Sequence, residues 1–271
     1  MLQDLDFGRL ENEFQNIAAR AEDFILCFHE GQILISRDNE DFLALPIFSQ
    51  MGTEEPTSVP RYLFRMQGRN FFLWTAAVPL SPPNGFAYEP VRQLRQLKSK
   101  DICYAVMTGW HLYNWYRNNR LCGCCGTPTQ HDSKERMLRC PSCGNMIFPR
   151  ISPAVIVAVT HGDRLLLSKY AGRAYTRYAL LAGYTEIGET IEQTVHREVM
   201  EEVGLRVKNL RYYKSQPWGV DGNVLMGFYC DVDGSDAIHI DENELSMADW
   251  YPRDDLPAKD DGISLTRESR Y

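Results

Sequence analysis

Apolar positions in the first 95 residues come in short runs, Phe24-Ile25-Leu26, Gln32-Ile33-Leu34-Ile35 and Tyr62-Leu63-Phe64, separated by polar turns. Short runs rich in aromatic and aliphatic side chains predict strands, so residues 1–95 read as a β-rich first domain. Pro82-Pro83-Asn84-Gly85 marks a turn, and beyond it Leu94, Ala105, Trp110, Leu112 and Trp115 are spaced for one or two helices between Val91 and Arg117.

Past Ile151 the pattern changes. Two apolar runs, Ala154 to Val159 and Arg164 to Ser168, are divided by His161-Gly162-Asp163 and predict a hairpin. Thr190-Ile191-Glu192-Gln193 has the form of a capping box, and Gly204 suits a left-handed helix stop. Between them Ile191, Val195, Val199 and Val203 make one stripe at helical spacing, which predicts a helix over about 190–203. Three segments result: a β-rich domain over 1–95, a helical linker with a cysteine-rich stretch over 96–150, and an α/β (α+β) domain over 151–271.

Composition narrows the class. The chain has 271 residues, 44% hydrophobic and 24% charged, as expected of an ordinary globular protein. Its longest purely apolar run is far shorter than the ~20 residues that span a bilayer, and the acidic opening lacks the basic start of a secretory signal. A soluble cytoplasmic protein without membrane partners is the expectation. A formal charge of −7 disfavours a purely electrostatic grip on nucleic acid. The basic stretch at Arg92, Arg95, Lys98 and Lys100 reads as a solvated helix face.

Cys122-x2-Cys125 and Cys140-x2-Cys143 supply four soft thiolates in two turns, each followed by a glycine, Gly126 and Gly144. Tetrahedral zinc needs this arrangement, so one Zn²⁺ per chain is expected across 122–143. Four thiolates leave no position open for water, which makes the expected role structural. Cys124 falls outside the set, and Cys27, Cys103 and Cys230 read as small hydrophobes.

The predicted helix over 190–203 carries the chemistry. Glu198 and Glu202 border its apolar stripe, where two like charges one turn apart are unfavourable unless cations neutralise them. Hard oxygen ligands at that density suit Mg²⁺ or Mn²⁺. Arg197 is placed to orient a loop carboxylate such as Glu189.

From Gly183 to Leu205 every fixed position of the Nudix box is matched: Gly183, Glu189, Arg197-Glu198, aliphatic Val199, Glu201-Glu202, Gly204 and Leu205. The chain therefore resembles the Nudix hydrolases. With a four-cysteine ribbon just upstream and Ser215-Gln216-Pro217-Trp218 downstream, it is similar to their NADH pyrophosphatase subfamily. That resemblance implies an α/β/α sandwich with a mixed sheet, preceded by the ribbon and the β-rich domain. It implies cleavage of NADH or NAD⁺ to AMP and nicotinamide mononucleotide, removal of NAD caps from RNA, and a homodimer.

Carried over by position, the catalytic Mg²⁺ or Mn²⁺ falls to Glu198, Glu202, Glu244 and the backbone carbonyl of Ala182. Glu201 is an extra ligand or helper, and Arg197 joins the catalytic set. Glu135, Phe148, Gln216 and Trp218 are the implied substrate contacts. The general base stays open among Glu201, Glu242 and Glu244. After Trp218 the chain departs from the family pattern, with Gly219-Val220-Asp221-Gly222-Asn223-Val224 where the family has a stretch that holds two prolines, an aromatic and a serine. This change keeps ADP-ribose or a dinucleoside polyphosphate open as the substrate, and a zinc-ribbon nucleic-acid adaptor is the rival from another class.

Overall fold

The structure, a computed structural model, describes residues 1, 3–4, 9–37, 43–51, 59–75, 80–94, 99–172 and 177–257. Arg95 and Lys98 of the basic stretch lie outside them. Two compact units emerge, one of residues 2–150 with 219–221, the other of Met1, 151–218 and 222–271.

The first unit is built on two four-stranded sheets. In one, Arg61–Met66 and Arg69–Leu73 form a hairpin flanked by Leu10–Glu11 and Phe24–Leu26. Its turn, Gln67-Gly68, takes positive φ at both residues (50° and 75°), the twist that two-residue hairpins favour. In the other sheet, Gln32–Arg37 pairs with Phe28–His29, Leu43–Ala44 and Ala87–Pro90. The helical stretch appears as Val91–Leu94 and then α1, Lys100–Asn118. Gly109 lets α1 lie directly on Leu26, since a Cβ there would meet the Leu26 side chain.

Residues 219–221 complete this unit. A Cβ on Gly219 would strike the backbone carbonyl of Met107 in α1, Val220 is buried, and Asp221 pairs with exposed Arg92 at 2.9 Å. Glycine at 219 is therefore a packing requirement of this chain.

In the second unit a six-stranded mixed sheet holds β1 (Ser152–His161), β2 (Arg164–Tyr170), β3 (Leu181–Tyr184), β4 (Val207–Trp218), β5 (Asn223–Val232) and β6 (Leu245–Pro252). The order is β4-β5-β1-β2-β6 with β3 paired to β1; β1 and β5 run parallel and the other pairs antiparallel. The predicted hairpin is β1–β2, turning at Gly162 with φ 65°.

Helix α2 (Ile191–Val203) is the one helix among the described residues of this unit. Val195, Val199 and Val203 are fully buried against Val155, Val157 and Leu181 of the sheet. Burial of this kind stabilises by roughly 1.5–3 kcal/mol per side chain, which fixes the helix on the sheet and so fixes what its polar border faces. Both halves of the capping box form: the Gln193 amide donates to Thr190 Oγ1 (3.2 Å), and the Thr190 amide donates to Gln193 Oε1 (2.8 Å). At the other end Gly204 adopts φ 69°.

Candidate functional site

The ribbon draws Cys122, Cys125, Cys140 and Cys143 together so that their sulfurs lie within 4.8 Å of one another. Cys122 Sγ is 3.6 Å from Cys143 Sγ, and Cys125 Sγ is 3.4 Å from Cys140 Sγ. Tetrahedral zinc with sulfurs at about 2.3 Å sets them about 3.8 Å apart, so the donor set fits the ion in both chemistry and size. Gly126 and Gly144, at φ 73° and 75°, close the two turns with their amides donating to the Cys122 and Cys140 carbonyls, and within the second turn the Cys143 amide donates to Cys140 Sγ (3.5 Å). The Cys124 amide donates to Cys122 Sγ (3.4 Å) and lowers that thiol to about 6. Cys124 itself is exposed and outside the group. Cys27, Cys103 and Cys230 are buried, and burial raises all three thiols.

In the second unit the carboxylates are arranged by packing. Gly183 on β3 faces α2, and a Cβ there would overlap the carboxylate of Glu198; the glycine is the space that carboxylate occupies. Glu198 is 8% exposed and Glu202 2%. The Ala182 amide donates to Glu202 Oε1 at 3.3 Å. In an extended strand the N–H and C=O of one residue point to the same side, so the Ala182 carbonyl faces the same way.

Arg197 ties the cluster together. Its Nε and Nη2 donate to the two oxygens of Glu189 at 2.6 and 2.9 Å, Nη1 donates to Glu198 (2.8 Å) and Glu201 (3.0 Å), and Nη2 also donates to the Tyr184 carbonyl (2.8 Å). The guanidinium beside Glu189 pulls its carboxyl down to about 2, with help from the Glu186 amide and Thr194. Glu198 moves the other way: burial raises its pKa, Arg197 opposes, and the charges of Glu201 and Glu244 raise it further.

Glu244 reaches this neighbourhood because the chain after β5 caps α2. The amides of His239 and Asp241 donate to the carbonyls of Val203 and Glu202, the orphan acceptors of the helix end. Glu244 then stands exposed in the turn after Asp241, as does Glu242. No three of these carboxylates gather within 4.8 Å as the thiolates do, among the described residues.

Sequence comparison decides the family. Residues 150–268 match the NUDIX domain, and residues 117–148 match the NADH pyrophosphatase zinc ribbon domain. A protein named NAD-capped RNA hydrolase NudC, from Stutzerimonas stutzeri, is 35% identical over 238 residues, 88% of this chain and 82% of the relative. One of the same name from Chromobacterium violaceum is 35% identical over 88% of this chain and 87% of its own. Another, from an Enterobacter species, is 43% identical over 62% of this chain and 64% of its own. The chain is a Nudix hydrolase of the zinc-ribbon type.

The implied substrate contacts of this Nudix hydrolase divide between the units. Glu135 and Phe148 lie on the ribbon, Glu135 exposed and Phe148 with 53% of its surface open. Gln216 and Trp218 lie on β4, Gln216 fully buried and Trp218 half-buried. Sequence reasoning missed Thr194, whose hydroxyl donates to Glu189 (3.1 Å), and Asn223, whose Nδ2 donates to the Tyr184 hydroxyl (3.2 Å). Thr194 was within reach of a periodicity argument, one turn past Thr190; the Asn223–Tyr184 contact was not, because it joins side chains 39 residues apart on two different strands.

Proposed function

We propose that this Nudix hydrolase cleaves the pyrophosphate of NADH or NAD⁺, giving AMP and nicotinamide mononucleotide, and cleaves the same bond where NAD caps RNA, releasing nicotinamide mononucleotide and leaving a 5′-monophosphate on the RNA. The supporting observation is the Glu198 carboxylate lodged in the space left by Gly183, one helical turn from buried Glu202. Two buried carboxylates of like charge call for a cation, and oxygen donors of this hardness suit Mg²⁺ or Mn²⁺. Glu198, Glu202, Glu244 and the Ala182 carbonyl would hold it. When bound, the metal supplies Lewis-acid stabilisation of the pyrophosphate oxygens as water attacks phosphorus and the bridging P–O bond breaks.

The remaining work belongs to the chain. Arg197 holds Glu189, Glu198 and Glu201 in one arrangement, so the donors need not reorganise during reaction. Glu201, Glu242 and Glu244 are the candidates to accept the proton of the attacking water. Phe148 offers an open ring face for stacking on a base, and Glu135, Gln216 and Trp218 complete the substrate contacts. The ribbon zinc is structural, one per chain. Eight free cysteines and a thiolate site fit a reducing compartment, the cytoplasm. No helix among the described residues is long and apolar enough to cross a membrane. A homodimer is part of the same reading, and analytical ultracentrifugation tests it.

The Gly219–Val224 stretch favours a second reading, in which ADP-ribose or a dinucleoside polyphosphate is preferred. A panel of NADH, NAD-capped RNA, ADP-ribose and a diadenosine polyphosphate, each with Mg²⁺ and with Mn²⁺, separates the two. The highest kcat/KM on NADH or capped RNA supports the first; a preference for ADP-ribose or the diadenosine compound overturns it. An RNA-binding adaptor would hydrolyse none of them.

A further inference from the structure

A cavity of about 280 Å³ opens in the first unit between the segment 15–23 and the end of the hairpin Arg61–Met66 with Arg69–Leu73. None of its lining residues belongs to the ribbon or to the Nudix box. Three arginines line it, Arg20 from the segment and Arg65 and Arg69 from the two strands beside the Gln67-Gly68 turn, and all three are exposed.

One wall of this cavity is tied down. Asp23, 4% exposed, accepts at Oδ2 from the Arg20 backbone amide (2.8 Å) and at Oδ1 from Asn70 Nδ2 (3.1 Å), and its own amide donates to the Arg20 carbonyl (3.0 Å). The turn 20–23 is thereby clamped to the hairpin, where Asn70 is the register partner of Arg65. Arg69 is steadied from another side, with its guanidinium 4.9 Å from the centre of the Phe24 ring. A stack of this kind holds the group by its face and leaves its N–H edge for a ligand.

The positive charges are not spent within the protein. None of the three guanidiniums pairs with a carboxylate among the described residues, although Glu22 and Asp23 share the lining. Asp23 commits both oxygens to the wall, and Glu22 is exposed. Three like charges around one concave place repel one another, and their field is focused there against a formal charge of −7 for the whole chain. An oxyanion seated among them relieves that repulsion, and a guanidinium fork matches the oxygens of a phosphate.

Size limits the ligand. Cavities for drug-sized molecules run from about 300 to 1,000 Å³, so this one suits a phosphate alone or on a sugar-sized group and is too small for a dinucleotide. Ile17, with 42% of its surface open, gives the lining an apolar edge for a carbon skeleton.

We infer that Arg20, Arg65 and Arg69 form a binding site for a phosphate group, either inorganic or carried on a sugar-sized molecule, separate from the Nudix box. Calorimetric titration of the zinc-loaded full chain tests this, without added Mg²⁺ or Mn²⁺ and at fixed ionic strength set with chloride. The probes are ribose 5-phosphate, inorganic phosphate and ribose. Both phosphates should bind and ribose should not. Arg20→Gln and Arg65→Gln remove side chains that make no hydrogen bond among the described residues, and each should weaken phosphate binding at least about tenfold. Arg120→Gln removes the same charge from another exposed position of the same unit and should leave binding unchanged. Tighter binding of ribose 5-phosphate than of inorganic phosphate, lost in the two cavity variants, assigns the site to a phosphorylated small molecule; the reverse order with the same losses assigns it to the inorganic ion. No binding of either phosphate, undiminished binding in Arg20→Gln and Arg65→Gln, or an equal loss in Arg120→Gln overturns the inference. NADH hydrolysis by Arg20→Gln should match wild type, so failure of this site and failure of the Nudix reading are seen separately.

Discussion

Arg197 and Glu189 stand eight residues apart and meet through two parallel hydrogen bonds, 2.6 and 2.9 Å long. The same guanidinium reaches Glu198 and Glu201, so one side chain sets the position of three carboxylates. A lysine ammonium is a point donor and cannot span that fork. Arg197→Lys should therefore lower kcat by about 10²-fold with a smaller change in KM, a misplacement effect read by steady-state kinetics. A wild-type kcat in Arg197→Lys would remove the arginine from the account.

Gly183 has no room for a methyl group. Gly183→Ala should displace the Glu198 carboxylate, lower activity by more than tenfold and cost about 1–3 kcal/mol of stability, as overpacking does. Denaturant unfolding beside activity measures both. Gly188 has open space around it, so a Gly188→Ala variant, strained by its φ of 95° alone, should leave Glu198 in place.

How much of this could be read beforehand varies with the kind of signal. The α2 cap, stripe and stop were legible, because Thr190, Gln193, Gly204 and the valines act through local geometry, and each took its expected place. The ribbon was legible because thiolate spacing is itself a geometric statement. The mixed sheet followed from the family resemblance, whereas the packing of Gly219 on Met107 could not be read, since it joins positions 112 residues apart by backbone contact.

The pH dependence of stability should expose Glu198. Its pKa in the fold lies above the unfolded value, so between the two the native state binds more protons than the unfolded chain. In protein without added divalent metal, this carboxyl's contribution should be fullest below the unfolded value of about 4.3 and be lost as pH rises through the folded one. Saturating Mg²⁺ or Mn²⁺ should reverse the trend by favouring the ionised form and should release protons on binding. Thermal unfolding at stepped pH with and without metal is the measurement, and metal binding without proton release near the folded pKa would contradict it.

Zinc removal should unfold the ribbon. Cys140→Ser should lose the ion and lower Tm, whereas Cys124→Ser should keep one zinc per chain with an unchanged Tm. Metal analysis of the purified variants distinguishes these outcomes.

The central claim is that Glu198 and Glu202 hold the metal for pyrophosphate cleavage. Its most direct test is NADH hydrolysis by wild type and Glu202→Gln, with AMP and reduced nicotinamide mononucleotide quantified under saturating Mn²⁺. The account predicts stoichiometric products from wild type and a loss of at least about 10³-fold in kcat for Glu202→Gln, the scale expected when a charged group that stabilises the transition state is removed. Comparable turnover in the two proteins would contradict it.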